Sequence, residues 1–118
     1  MLRTSHQAYT MLQSVLQVFR RRLSIADAIA FAGVLPPVLR AIFVSDWDTT
    51  EAIKPFGSEQ EMMAEVRALR HNHNLSTETA IADVVAAVRR NVDGDAFDRL
   101  LSQLPPGARQ FWQDLPNG

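Results

Sequence analysis

The chain has 118 residues, of which 47% are hydrophobic and 21% charged, with a formal net charge of -1 and no cysteine. This is the size and composition of one globular domain. The charge gives no overall pull toward nucleic acid or anionic lipid, and the missing thiols exclude disulfides, a cysteine nucleophile and a zinc-thiolate site.

A reducing, cytoplasmic location is expected from the absence of cysteine. The longest apolar run, 26–44, is interrupted by Asp27, Pro36, Pro37 and Arg40, so no membrane span is expected. Apolar residues precede Arg20-Arg21-Arg22, the reverse of a secretory signal's order. The segment also has a counterpart later in the chain, which argues for fold rather than a transit peptide.

Leu12, Val15, Leu16, Phe19 and Leu23 recur at the spacing of one buried helix face, predicting a helix from about Ser5 to Leu23. Its last turn carries the three arginines, where cations offset the helix dipole. Ser24 with Asp27 offers a cap for a second helix, Ile25 to about Val34, facing inward through Ala28, Phe31, Ala32 and Leu35. Pro36 and Pro37 stop it, and Pro37 suits the first position of a short third helix bearing Val38, Leu39, Ile42 and Phe43. A polar connection follows, with Trp47 and Phe56 as its anchors.

Ser58 and Glu61 form a capping-box signature for a helix to about His71, with Met62, Val66 and Leu69 on one face. Ser76 is placed to cap the next, which carries Ile81, Val84, Val85, Val88 and Val92. Asp93-Gly94-Asp95 makes a turn, and Phe97, Leu100, Leu101 and Leu104 then lead into a second Leu-Pro-Pro.

Leu35-Pro36-Pro37 and Arg40 thus return as Leu104-Pro105-Pro106 and Arg109, an offset of 69 that aligns 8–43 with 77–112 without a gap. Arg20 pairs with Arg89 and Arg21 with Arg90. The expected architecture is all-α, two related helical repeats packed into one compact domain over 1–118. Repeat one covers 1–47, the connection 48–57, repeat two 58–113 and a short tail 114–118. The first copy has no counterpart of the helix opened by Ser58. Apolar surface on the Leu12 or Ala28 helix is therefore expected to need a cover, which points to a homodimer or a helical protein partner through the first repeat.

The ordered set Ala8-Tyr9, Leu12, Val15-Leu16, Phe19-Arg20-Arg21-Arg22-Leu23, Ala28, Leu35-Pro36, Leu39-Arg40, Phe43 and Trp47 resembles the bacterial domain-of-unknown-function family numbered 2267. Phe56, Glu59, Glu61, Val66, Leu104-Pro105, Arg109 and Trp112 continue it. The resemblance implies an all-helical, two-repeat bacterial protein and brings no activity or catalytic residue. Two departures stand out: the family usually has helical sequence ahead of Ala8-Tyr9, and the acid that often follows the arginine run is here Arg22.

A helical turn of about 100° per residue places Arg21 and Arg90 opposite the core, flanked by Arg20 and Arg89, so these are expected to face solvent. Nucleic-acid binding through them is the weaker reading, because no aromatic platform or recognition helix accompanies them. Arg40 and Arg109 could clamp an anion or bond carbonyls of their own repeat; prolines at that helix start remove N–H donors and favour the second. His71 and His73 are two apart and cannot easily share an ion, and His6 is far away. Asp93 and Asp95 lack the other ligands of a calcium loop, and Asp46, Asp48 and Glu51 form the remaining acidic group. No catalytic, cofactor or metal residue is assigned, since neither a nucleophile elbow nor a phosphate-binding glycine loop is present. The expected function is a non-enzymatic interaction or regulatory module. A small apolar ligand carried between the repeats, against Met11, Phe19, Phe31 or Met62, is the remaining alternative.

Overall fold

The spacing around Phe19 produces the helix on which the rest of the chain is assembled, α1 (Leu2–Arg20). The computed structural model describes residues 2–69 and 79–113, with side chains from residue 8 onward. Along α1 the residues Ser14, Val15, Leu16, Val18, Phe19 and Arg20 are all buried, so the helix is enclosed around most of its circumference. Val18 was not among the expected core residues, while Leu12, which was, is half-buried at the edge of the cluster.

Ser24 caps α2 (Ile25–Ala32) by accepting from the Asp27 N–H at 3.1 Å. Pro37 begins α3 (Pro37–Phe43), as its fixed backbone angle and missing N–H suit a first turn. In α4 (Glu59–Leu69) the capping box closes reciprocally. Glu61 accepts from the Ser58 N–H at 2.8 Å, and Ser58 accepts from the Glu61 N–H at 3.0 Å. The helices α5 (Ala80–Arg89), α6 (Gly94–Leu101) and α7 (Pro106–Phe111) follow, with Asp93 capping α6 through the N–H groups of Asp95 and Ala96. The cap expected at Ser76 lies outside the described residues.

The described residues thus form seven helices and no strand, an all-α protein. The bounds of α2, shifted by 69, are those of α6, and α3 and α7 both start on the second proline of a Leu-Pro-Pro. Helices α3, α4 and α5 pack against α1. The placement of α4 answers the question of the missing leading helix. It lies across α1 rather than serving only the second half, so much of the apolar face upstream of Leu35 is covered from within the chain.

The core is an aromatic cluster drawn from both halves. Phe19 lies 4.8 Å from Phe31 and 5.0 Å from Phe111, while Phe31 lies 5.5 Å from Phe97. Trp112 meets Phe19 and Phe97 edge-on at 5.5 and 5.4 Å, an arrangement that sets ring edges against ring faces. Rings therefore fill the space around Phe19 and Phe31 where an apolar ligand was considered.

Candidate functional site

Arg20, expected to face solvent, is only 6% exposed. Its Nη1 donates to the carbonyls of Phe43 and Ser45, both at 2.8 Å, and Nη2 donates to that of Asp46 at 3.4 Å. The reason is a neighbour the helical wheel of α1 does not contain. The end of α3 presents carbonyls with no partner in their own helix, and Asp46 turns the chain there with a positive φ of 52°. Trp47 completes the enclosure, its ring centre 5.3 Å from the guanidinium carbon. Burial, and then the charge of Arg21, lower the pKa of Arg20, yet an arginine remains a cation at any physiological pH.

The second half repeats this bond. Arg89 Nε donates to the Trp112 carbonyl at 2.7 Å, and Arg20 to Phe43 and Arg89 to Trp112 are each separated by 23 residues. Arg89 also pairs with Asp98 at 3.0 Å and lies over Phe97 at 5.2 Å. It is half-buried, and Arg90 beside it is exposed as expected.

Arg22 is buried too, donating to the Val18 carbonyl at 2.8 Å and to both carboxylate oxygens of Glu65, at 2.7 and 3.3 Å. Glu65 further accepts from Lys54 at 3.1 Å and faces Arg21 at 3.5 Å, while Arg21 reaches Glu51 at the same distance. Burial works against ionisation of Glu65, but the bonds from Arg22 and Lys54 outweigh it and hold the carboxyl below its ordinary range. This network pins α4 and the connection to the end of α1. The arginine run is consequently a set of internal braces.

Arg40 folds back over the end of α2, its Nε donating to the Ala32 carbonyl and its Nη2 to that of Leu35, each at 3.0 Å. It holds the Leu-Pro-Pro turn. Arg109 is exposed, and no such clamp forms among the described residues. The recurrence of the two arginines in sequence therefore does not extend to their bonds.

Two surface features remain, and they adjoin. A cleft of about 400 Å³ is lined by Leu23, Ile25, Trp47, Ala52 and Ile53, with Asp48, Thr49 and Glu51 on the connection and Arg20 and Arg21 from α1. Ile25 also begins the outer face of α2, where Ile25 is 48% and Ile29 60% exposed, beside exposed Ala26, Ala30 and Gly33. The residues 69 positions later are Gly94, Asp95, Asp98, Arg99 and Ser102, all exposed on or just after α6. One helix carries an apolar outer face where its counterpart is charged. Sequence reasoning passed over this, although comparing the aligned copies position by position would have exposed it.

Among the described residues no three His, Asp or Glu side chains gather as a metal site, and no helix is long and apolar enough to cross a membrane. His71 and His73 lie outside the described residues, as does the side chain of His6. Asp48 accepts from the Thr50 hydroxyl at 2.6 Å and from its N–H at 3.0 Å, which lowers the Asp48 pKa. It is therefore not the raised-pKa carboxyl that acid–base catalysis would use.

No curated protein matches the chain. The family model described as an uncharacterized conserved protein (DUF2267) matches residues 1–111, nearly the full length, and the chain belongs to that family.

Proposed function

We propose that this protein is a non-enzymatic interaction or regulatory module of the cytoplasm, binding a second copy of itself or another helical protein through the first half of the chain. The supporting observation is the contrast between α2 and α6. The two helices hold matching positions in the aligned sequence, and each buries one face, through Ala28, Phe31 and Ala32 or through Phe97 and Leu101. The outer face of α6 is polar, whereas that of α2 is apolar. A helix that is apolar all round is normally covered on all sides, and leaving such a face in water costs about 25 cal/mol per Å².

The competing nucleic-acid reading loses most of its donors, because Arg20 and Arg22 are turned inward and Arg21 and Arg89 are paired with carboxylates. Asp48 and Glu65 are both held below their ordinary range, the direction opposite to that of a general acid, which favours the non-enzymatic reading.

The test is to give α2 the outer face of α6 through Ile29→Asp with Ala30→Arg. Both positions are exposed, so the variant is expected to fold with an unchanged thermal midpoint. Wild-type protein at micromolar concentration is expected to self-associate in sedimentation or to bind an apolar dye, and the variant to do neither. A wild-type monomer that ignores the dye would remove the basis for the proposal.

A further inference from the structure

The cleft at Trp47 is lined by apolar side chains, Leu23, Ile25 and Ile53 with the indole, and by charged ones, Arg20, Arg21, Asp48 and Glu51. Its volume of about 400 Å³ lies in the range of small-molecule sites, which are typically apolar hollows with a few polar groups. The charged lining is balanced, two arginines against two carboxylates. Arg20 keeps its charge although its donors are bonded to carbonyls. Next to Arg21, Glu65 is bonded by Arg22 and Lys54, so the further basic residues come with an acid of their own. A purely anionic or purely cationic ligand would meet repulsion here together with attraction. A small molecule carrying both charges would meet attraction at each.

Two of these charged groups have bonding capacity left over. Arg21 stands 3.5 Å from both Glu51 and Glu65, and its guanidinium donates no hydrogen bond among the described residues. The Glu51 carboxylate accepts none among them either, and its side chain is 43% exposed. Asp48, by contrast, is committed to the hydroxyl and N–H of Thr50. The backbone around the pair is tied down. The Glu51 N–H donates to the Asp48 carbonyl at 3.2 Å, and the Lys54 N–H to the Arg21 carbonyl at 3.0 Å. A cation with free donors and a carboxylate with free acceptors thus stand side by side in a preformed cleft, where little ordering opposes binding.

We infer that the Trp47 cleft binds a free α-amino acid with a large apolar side chain. Its carboxylate would take the donors of Arg21, its ammonium would donate to Glu51, and its side chain would lie against Trp47, Leu23 and Ile25. An α-amino acid holds its two charges on one carbon, and the groups that would receive them are likewise adjacent, 3.5 Å apart. Guanidinium meets carboxylate in a planar, two-point contact, which makes Arg21 the orienting group. The inference goes beyond the interaction reading and is independent of it, since Ile29 and Ala30 lie outside the cleft and Ile25 alone belongs to both surfaces.

Titration of the full chain with leucine, isoleucine and phenylalanine, read by tryptophan fluorescence, is the test. Trp47 is half-buried in the cleft while Trp112 is fully buried, so a change that Trp47→Phe abolishes reports on this site. Phenylalanine is expected to bind saturably, and at least about tenfold more tightly than phenylalaninamide, which lacks the carboxylate, or 3-phenylpropionate, which lacks the ammonium. Each analogue loses one charge-assisted contact. Glu51→Gln should reduce the preference over 3-phenylpropionate to about threefold or less while keeping that over phenylalaninamide, and Arg21→Gln should do the reverse.

No saturable change with any of the three amino acids up to about 10 mM overturns the inference. So does binding of either analogue as tight as that of phenylalanine. Calorimetric binding of phenylalanine that neither Arg21→Gln nor Glu51→Gln weakens would place the ligand elsewhere and overturn it as well.

Discussion

A guanidinium at a helix end can face water or another helix's carbonyls, and Arg20, Arg40 and Arg89 all take the second course. For Arg40 the prolines ahead of it already favour carbonyls of its own repeat, whereas for Arg20 and Arg89 the sequence shows the recurrence but not the direction, because a helical wheel knows only its own helix. Arg40 illustrates the energetic consequence. Its planar fork serves two carbonyls at once, which lysine cannot reproduce, and each bond contributes about 1 kcal/mol. Arg40→Lys is expected to lower stability by about 1–2 kcal/mol in urea unfolding, whereas Arg109→Lys, at an exposed and unclamped position, should stay within about 0.5 kcal/mol. Glu65 adds a pH dependence of known sign. Its folded pKa lies below the ordinary 4.5, so the unfolded chain holds the proton more tightly and stability rises with pH through that range. The contribution is complete above about pH 4.5 and is lost as the pH falls through the folded value. The stability gap between wild type and Glu65→Gln in urea unfolding, about 2–4 kcal/mol at pH 6 because the change leaves Arg22 buried without its carboxylate, should therefore hold steady down to about pH 5 and narrow as the pH falls further.

At the scale of elements, the boundaries were the legible part. Ser24, the Ser58–Glu61 box and both Leu-Pro-Pro stops act through local backbone chemistry, and each helix they define begins within a residue or two of its expected start. The packing of α4 across α1 was not legible, since the alignment assigned that helix to the second half and says nothing of where it lies. Nor was the role of Gly107 visible. Phe56 from the connection rests on it so closely that a Cβ there would enter the ring, while the matching residue in α3 is Val38, which is 72% exposed. Gly107→Ala should cost about 1–3 kcal/mol through overpacking. Gly94, at the start of α6 with open space around its Cα and no positive φ, is the control: alanine there should be neutral or stabilising by up to about 1 kcal/mol. Thermal or urea unfolding of the two variants side by side would expose an error in either assignment.

At the scale of the molecule, the two aligned halves do not have separate cores. Phe31 of α2 touches Phe19 and Phe43 from the first half and Phe97 and Trp112 from the second, so neither half can loosen around it without disturbing the other. The periodicity identified Phe19, Phe31 and Phe97 as inward-facing, but contacts between rings so distant in sequence exist only once the helices are assembled. Such a shared core should unfold in one step. With Trp47→Phe in place, Trp112 alone reports on the centre, and its fluorescence transition in urea is expected to coincide with the loss of helix by circular dichroism. Phe31→Ala should shift both curves together by about 3–5 kcal/mol, the usual consequence of emptying a large aromatic site. If helix signal were instead lost in two stages, with Trp112 following only one, the halves would be separate cooperative units and the aromatic cluster would be a contact between them rather than their common core.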